Sequence, residues 1–184
     1  YFGQVDRIHR LAAAGADLEK RDGNGRTPVH VAAFASQDDA LRALAQVGAD
    51  MNALDHDRYD VVTIAAVADD PDLMSQAIAL GNRPDLVTSV YDGTALIAAA
   101  HLGHAEVVRR LIAAGAPLDH VNNLGWTAAI EAVVLGDGGP AHTETVRALV
   151  EAGADLTIAD REGRTPLDHA RARGYDRIEA LLTP

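Results

Sequence analysis

The chain has 184 residues, no cysteine and a formal net charge of −11 at pH 7. The absence of cysteine excludes disulfide bonds and thiolate metal sites and leaves the redox compartment open. The acidic balance argues against a surface for nucleic-acid phosphates, which requires clustered cations, and no apolar run is long enough to cross a bilayer. The aromatic share of 4% and hydrophobic share of 48% predict a core of aliphatic and alanine side chains.

The chain opens at Tyr1 without a methionine, in a stretch that aligns with residues 103–108. We therefore expect it to begin where the first helix of a structural unit is ending. No segment at the start resembles a signal peptide. Our expectation is that residues upstream of Tyr1 were removed, by a signal peptidase or by the limits chosen for the chain.

A short motif occurs four times along the chain. Thr27-Pro28-Val29-His30-Val31-Ala32-Ala33 is matched by segments that begin at Thr94, Thr127 and Thr165. A second motif, a leucine- and alanine-rich stretch before a glycine, has its glycines at positions 15, 48, 81, 115 and 153, which are 33, 33, 34 and 38 residues apart. Because two independent motifs share one period, the chain is predicted to consist of stacked copies of one small unit.

The threonine of each motif is a signal for the start of a helix. The hydroxyl of Thr27 can accept a hydrogen bond from a free backbone N–H, and Pro28 follows at the first helical position, where its missing N–H costs nothing. Thr165 and Pro166 repeat this arrangement in the last unit. These four residues are therefore predicted to have structural roles.

Each unit is predicted to contain two helices and a turn-rich finger. In the first complete unit, one helix is expected to run to about Phe34 and a second to begin at Asp38 or Asp39. Gly48 is expected to end the second helix, since glycine adopts the left-handed conformation at little cost. Residues 49–59 then form the finger that precedes the next unit.

Alanine lies five positions after each threonine, or after its replacement in the third unit, at Ala32, Ala65, Ala99, Ala132 and Ala170. A small side chain there allows neighbouring helix pairs to approach closely. Each pair is too small to bury its own apolar face, so neighbours are expected to bury it jointly.

The third unit departs most from the pattern. Asp60 replaces the threonine, Ala77 replaces a leucine, and Asn82 replaces the alanine after the glycine. A buried leucine-to-alanine difference is worth about 2–5 kcal/mol, so we predict that this unit is the least stable. Neutral drift explains these changes, and the alternative is a site adapted to a ligand.

The fifth unit carries five extra residues, 137–141, between its two predicted helices. Glu131 occupies a position that holds an apolar residue in the other inner units. A buried carboxylate needs partners, so we expect Glu131 to be structural and to accept hydrogen bonds from the glycine-rich insertion. The alternative is a metal or acid–base cluster of Glu131, Asp137 and His142.

The 33-residue period and the Thr-Pro-x-His-x-Ala motif resemble the ankyrin-repeat family over essentially the whole chain. The resemblance implies an all-α fold, an ankyrin-repeat solenoid of stacked helix-turn-helix units with projecting β-hairpin-like fingers. It also implies that His30 is structural and forms hydrogen bonds within its turn. The implied units of this single domain are a partial first repeat 1–21, repeats 22–54, 55–88, 89–121 and 122–159 with the insertion 137–141, and a C-terminal capping repeat 160–184.

Proteins of this family usually bind partners along the fingertips and the concave face of the first helices. The corresponding residues here are His56, Asp57, Tyr59, Tyr91, His101, Asn123, Leu124, Trp126, Arg161 and Arg164. Exposed aromatic side chains are common interface anchors, which singles out Tyr59, Tyr91 and Trp126. The alternative is that these three rings pack across the bases of the fingers.

We therefore expect a protein–protein interaction scaffold or adaptor rather than an enzyme, since the chain has neither a Gly-x-Ser-x-Gly nor a His-Glu-x-x-His motif. The expected partner is another protein, with no nucleic acid, cofactor, bound metal or membrane insertion, and the chain is expected to be a monomer. The alternative is a small-molecule- or metal-binding accessory protein with a site near Glu131 and loop 136–142. A weaker resemblance to bacterial ankyrin-repeat proteins, some of them exported, implies a cytoplasmic or periplasmic location.

Overall fold

The computed structural model describes residues 2–183 and, within them, an all-α fold. The described residues form eleven helices: α1 (Phe2–Ala13), α2 (Pro28–Phe34), α3 (Asp38–Gln46), α4 (Val61–Ala68), α5 (Pro71–Ala79), α6 (Ala95–Leu102), α7 (Ala105–Ala113), α8 (Ala128–Val134), α9 (Pro140–Glu151), α10 (Pro166–Arg173) and α11 (Asp176–Leu182). The single β-bridge in this part of the chain joins Val87 to Thr94 in one finger. The all-α prediction is confirmed.

The helices form two stacked rows. First helices pack on one another in the order α2, α4, α6, α8 and α10, and each also packs on the second helix of its own unit. In the second row, α1 contacts α3, α5 contacts α7, and α9 lies between α7 and α11. The result is the predicted solenoid, with the fingers projecting beside the first row.

Predicted threonine caps start three of the five first helices, whereas at the start of α2 the Thr27 hydroxyl pairs with Nδ1 of His30 at 2.9 Å. Thr94, Thr127 and Thr165 each accept a hydrogen bond from the backbone N–H three residues later. Pro28 and Pro166 occupy the first helical positions. Local sequence therefore fixes where each first helix begins.

The core is built from small and aliphatic side chains. The alanines at the close-approach position are all buried, and Ala65, Ala99, Ala132 and Ala170 have no exposed surface. Fully buried leucines from both rows fill the space between the helices. This agrees with the predicted aliphatic, alanine-rich core.

Each finger is held by one short polar side chain. Its oxygen accepts hydrogen bonds from the backbone N–H groups two and four residues later, at donor–acceptor distances between 2.8 and 3.2 Å. The five equivalent residues are Asp22, Asp55, Ser89, Asn122 and Asp160. Such turns satisfy finger N–H groups that lack a helix or sheet partner.

The third unit folds despite its departures from the pattern. The Oδ1 atom of Asp60 accepts from the Thr63 N–H at 2.8 Å and so replaces the threonine cap. However, Oδ2 of Asp60 and Oδ1 of Asn82 are buried without a hydrogen-bond partner in the described part of the chain. Burial also raises the pKa of Asp60. These features agree in direction with a weak unit, whose stability remains a prediction.

The insertion is divided between a loop and a helix. We expected all five extra residues to lie between the two helices, but α9 begins at Pro140 and takes in the last two of them. Proline is favoured at a first helical position, so the longer helix starts there.

Gly136 packs so tightly that an added Cβ would lie 2.2 Å from the Ala132 carbonyl oxygen and 2.6 Å from the His142 ring. The Tyr175 hydroxyl donates to the Gly136 carbonyl at 3.0 Å and ties the loop to the last unit.

In the described part of the chain, no helix combines the length and the apolar character needed to span a membrane. The longest helices, α1 and α9, have 12 residues each.

Candidate functional site

A groove of about 350 Å³ lies between the fingers and the first helices near the middle of the solenoid. We call it the central groove. Five of the ten predicted partner-binding residues line it, namely Tyr59, Tyr91, His101, Leu124 and Trp126. Four further lining residues bear on the chemistry of the groove, namely Ile97, Asn122, Glu131 and Leu135.

The aromatic side chains in this groove differ in their exposure. Tyr91 is 56% exposed, whereas Tyr59 packs partly against the core and Trp126 is half-buried. Burial, together with the nearby carboxylates of Asp57 and Asp55, raises the pKa of the Tyr59 hydroxyl. Tyr91 is therefore the most accessible of the three rings. Tyr59 and Trp126 also line the groove, but each is partly covered by neighbouring residues.

Glu131 is buried at the floor of the central groove, with 6% of its surface exposed. Its Oε1 atom accepts a hydrogen bond from Nδ2 of Asn122 at 2.7 Å. The prediction that the insertion would supply this bond was wrong. Asn122 can donate this bond because its two side-chain groups have different partners. Its Oδ1 accepts from the backbone N–H groups of Leu124 and Trp126, and its Nδ2 group donates to the carboxylate.

The last unit has a hydrogen-bonded pair at the equivalent two positions, one in the finger and one in the first helix, but with different residues. There Nε2 of His169 donates to Oδ2 of Asp160 at 2.7 Å, and Arg164 lies 3.4 Å from the same oxygen. Both pairs span nine residues. Asn122 and Asp160 were missed from the sequence, although each lies five residues before the capping threonine of its unit.

Burial raises the pKa of Glu131 to about 7, and the hydrogen bond from Asn122 offsets only part of that effect. The other carboxylate oxygen, Oε2, lies 3.5 Å from Nδ1 of His101. Burial, and to a smaller extent the nearby His142, lower the pKa of His101. His101 is therefore mostly neutral at pH 7, and its contact with Glu131 is not an ion pair there.

The three groups of the proposed metal or acid–base cluster do not form one site. Nδ1 of His142 lies 3.0 Å from Oδ1 of Asp137, and Nε2 donates to the His101 carbonyl at 3.0 Å, while Glu131 bonds Asn122. Across residues 2–183, no three His, Asp or Glu side chains are grouped so that they could hold a metal ion.

The other five predicted partner-binding residues are exposed on the fingers: His56, Asp57, Asn123, Arg161 and Arg164. Several of them join neighbouring fingers. The backbone N–H of His56 donates to the Asn24 carbonyl at 3.1 Å, and that of Asn123 donates to the Tyr91 carbonyl at 2.9 Å. The Arg161 guanidinium donates to the Asn123 carbonyl. These contacts hold the fingers together, and a role in partner binding remains a prediction.

The stacked helix pairs, the projecting fingers and the groove between them define a repeat solenoid, and comparison with known proteins identifies its family. Sequence models of ankyrin repeats match residues 1–38, 24–56 and 62–160. The chain is 35% identical over 182 residues to YahD, an ankyrin repeat protein of Escherichia coli (strain K12), covering 98% of this chain and 90% of that protein. The chain therefore belongs to the ankyrin-repeat family.

Solved structures give the same result. An ankyrin repeat domain from Acinetobacter baumannii AYE superposes with a TM-score of 0.85 at 40% identity, covering 97% of this chain and 92% of that domain. The ankyrin repeat domain of Bcl-3, a member of the IkappaB protein family, has a TM-score of 0.85 at 26% identity, covering 97% and 76%. Ankyrin repeats are general protein–protein interaction modules and typically non-enzymatic scaffolds.

Proposed function

We propose that this protein is a scaffold or adaptor that binds another protein through the central groove and the fingertips around it. The observation that carries the proposal is the cluster of exposed apolar side chains at that groove. Tyr91 is 56% exposed, Leu124 39% and Leu135 43%, and all three line the groove. Large apolar side chains grouped on a soluble surface mark an interaction site more often than scattered ones do.

The apolar surface continues along the first helices towards the N-terminus. Phe34 and Val67 are 46% and 40% exposed and line a smaller neighbouring pocket with Tyr59, which also lines the central groove. The Arg26 guanidinium lies 4.2 Å from the centroid of the Phe34 ring. A partner that follows this row would cross several repeats and place one or two side chains in the central groove.

Site-specific photo-crosslinking in cells of the source organism tests the proposal. A photoreactive amino acid at position 91 or 124 should capture a partner, and the same group at Arg109, on α7 in the second row, should not. Tyr91→Ala combined with Leu124→Ala should abolish capture by a crosslinker at position 135 while leaving the circular dichroism unchanged. Capture from position 109 alone, or capture that the double substitution does not affect, would contradict the proposal.

A further inference from the structure

We propose that the central groove receives a lysine or arginine side chain of the partner protein, with the cation at Oε2 of Glu131 and the aliphatic part against Trp126 and Leu135. This inference rests on the proposed function and specifies the chemistry of the partner. It assigns to Glu131 a binding role in addition to its place in the fold.

The carboxylate of Glu131 is positioned for one cation. Asn122 occupies Oε1 through its hydrogen bond, while Oε2 lies beside the His101 ring at the floor of the groove. The corresponding residue of the preceding first helix is Ala98, whose small side chain also lines the groove. The carboxylate is therefore held in a fixed orientation with one oxygen available.

The walls suit the rest of a basic side chain. Trp126 and Tyr91 contribute aromatic rings to the lining, and the face of an aromatic ring attracts a nearby ammonium or guanidinium group. Ile97 and Leu135 contribute apolar surface against which the methylene groups of lysine or arginine can pack. A volume of about 350 Å³ is at the lower end of the range for ligand pockets, roughly 300–1,000 Å³, and fits one or two side chains better than a large ligand.

The charges around the groove also favour a cation. The chain has a formal net charge of −11, and the described residues that line the groove include no lysine or arginine. Titratable side chains on the helices that pack against α8 include His101 on α6, His142 on α9 and His169 on α10, the last already bonded to Asp160. A basic side chain would give the buried carboxylate the charged partner that a neutral His101 does not provide.

Binding of a cation should displace a proton. Burial holds the pKa of Glu131 at about 7, so part of the population is protonated at neutral pH. A bound cation favours the ionised carboxylate and lowers that pKa, so the proton is released. Affinity should therefore rise with pH between pH 5 and pH 8.

The test uses n-butylammonium and n-butylguanidinium as probes, with n-butanol as the neutral control of similar length. Trp126 is the only tryptophan, so its fluorescence reports on the groove. At pH 8 we expect both cations to bind at least fivefold more tightly than n-butanol. At pH 5 we expect each cation to bind at least tenfold more weakly than it does at pH 8. Calorimetry at pH 7 in buffers of different ionisation enthalpy should detect proton release on binding.

Glu131→Gln is the matched variant, because glutamine retains an oxygen for Asn122 and removes the charge. It should bind the cations no better than n-butanol, and His101→Gln should retain the pH dependence of the wild type. Equal binding of the three probes, an unchanged affinity between pH 5 and pH 8, or full cation binding by Glu131→Gln would overturn the inference. An unchanged affinity across the pH series overturns the inference even if Glu131→Gln does not fold, and the His101→Gln series separates the titration of Glu131 from that of His101.

The two proposals fail separately. Crosslinking at positions 91 and 124 without any cation preference would leave a partner-binding groove that uses other chemistry. Cation binding without crosslinking from those positions would leave a cation site on a surface that does not contact the partner.

Discussion

Nε2 of His30, on the first helix of one unit, donates a hydrogen bond to the backbone carbonyl of Tyr59 in the next finger, at 2.9 Å. Nδ1 of the same ring accepts from the backbone N–H of Thr27 at 3.2 Å. One fully buried side chain thus joins a helix cap to the neighbouring unit. The family resemblance predicted the bond within the turn, and the bond to the next finger adds a contact between repeats.

His30→Ala should therefore weaken both the cap and the junction between units. It removes a buried ring and leaves a carbonyl and an N–H group without their partner, which should cost about 2–4 kcal/mol in the free energy of unfolding. Urea denaturation measures the loss. His9→Ala, at an exposed position on α1, should change stability by less than about 0.5 kcal/mol. Similar losses in the two variants would contradict this account.

Glu131→Gln should change how stability depends on pH. The folded-state pKa of about 7 lies above the ordinary value of 4.5, so the folded protein holds this proton more tightly than the unfolded chain. The contribution of Glu131 to stability is therefore fully present below pH 4.5 and is lost as the pH rises through 7. Relative to the variant, the wild type should lose about 2–3 kcal/mol between pH 5 and pH 8.

Parallel urea denaturations of the two proteins at both pH values measure this difference. His101 has a lowered pKa, and its own contribution is lost as the pH falls, which is the opposite direction. Both proteins contain His101, so subtracting one curve from the other removes the part of its effect that does not depend on the charge of Glu131. A difference that does not change with pH would show that Glu131 titrates near its ordinary value.

Asp60→Thr should stabilise the third unit. Threonine keeps the cap to the Thr63 N–H and removes the buried Oδ2 atom that lacks a partner, for an expected gain of about 1 kcal/mol. Because burial raises the folded-state pKa of Asp60, its ionised carboxylate destabilises the fold above the ordinary pKa, and this penalty disappears in acid. The gain should therefore be larger at pH 8 than at pH 4.

The reverse exchange, Thr94→Asp, provides the control in the next unit and should lose stability by a similar amount. Hydrogen exchange can locate both effects, with slower exchange in α4 of Asp60→Thr and faster exchange in α6 of Thr94→Asp. A neutral or destabilising Asp60→Thr substitution would mean that the third unit is adapted to aspartate in a way that the hydrogen bonds do not reveal.

Gly136→Ala should be strongly destabilising. The new Cβ would lie 2.2 Å from the Ala132 carbonyl oxygen, so the start of the insertion must shift, at a cost of about 2–4 kcal/mol. Gly23→Ala is the matched control, since an added Cβ there meets no atom within 4 Å. Thermal unfolding of both variants measures the difference. Equal melting temperatures would show that the loop adapts without cost.

The sequence was sufficient to predict the repeat and the starts of its first helices. Thr127 and its equivalents signal helix starts through local chemistry, and the alanine positions such as Ala132 follow from the period. The insertion in the fifth unit was also located from the alignment of glycines. All of these depend on interactions within one unit or on exact repetition.

The partners of Glu131 could not be predicted in the same way. Asn122 is close to it only because the finger folds back over α8, and His101 approaches from the preceding unit. The first contact depends on the path of the finger within the unit, and the second depends on how units stack. The beginning of α9 at Pro140 was missed because the alignment to the other units placed the helix start after the insertion.

The turns that hold the fingers fix the backbone of each finger but do not restrict which side chain lies at its tip. In each finger the residue two positions after the turn-forming side chain contributes only its backbone N–H to the turn. Its side chain can therefore vary without loss of the turn. Along the solenoid these residues are Asn24, Asp57, Tyr91, Leu124 and Glu162. The two apolar tips are neighbours with polar tips on both sides, so the apolar part of the fingertip row is confined to two adjacent fingers.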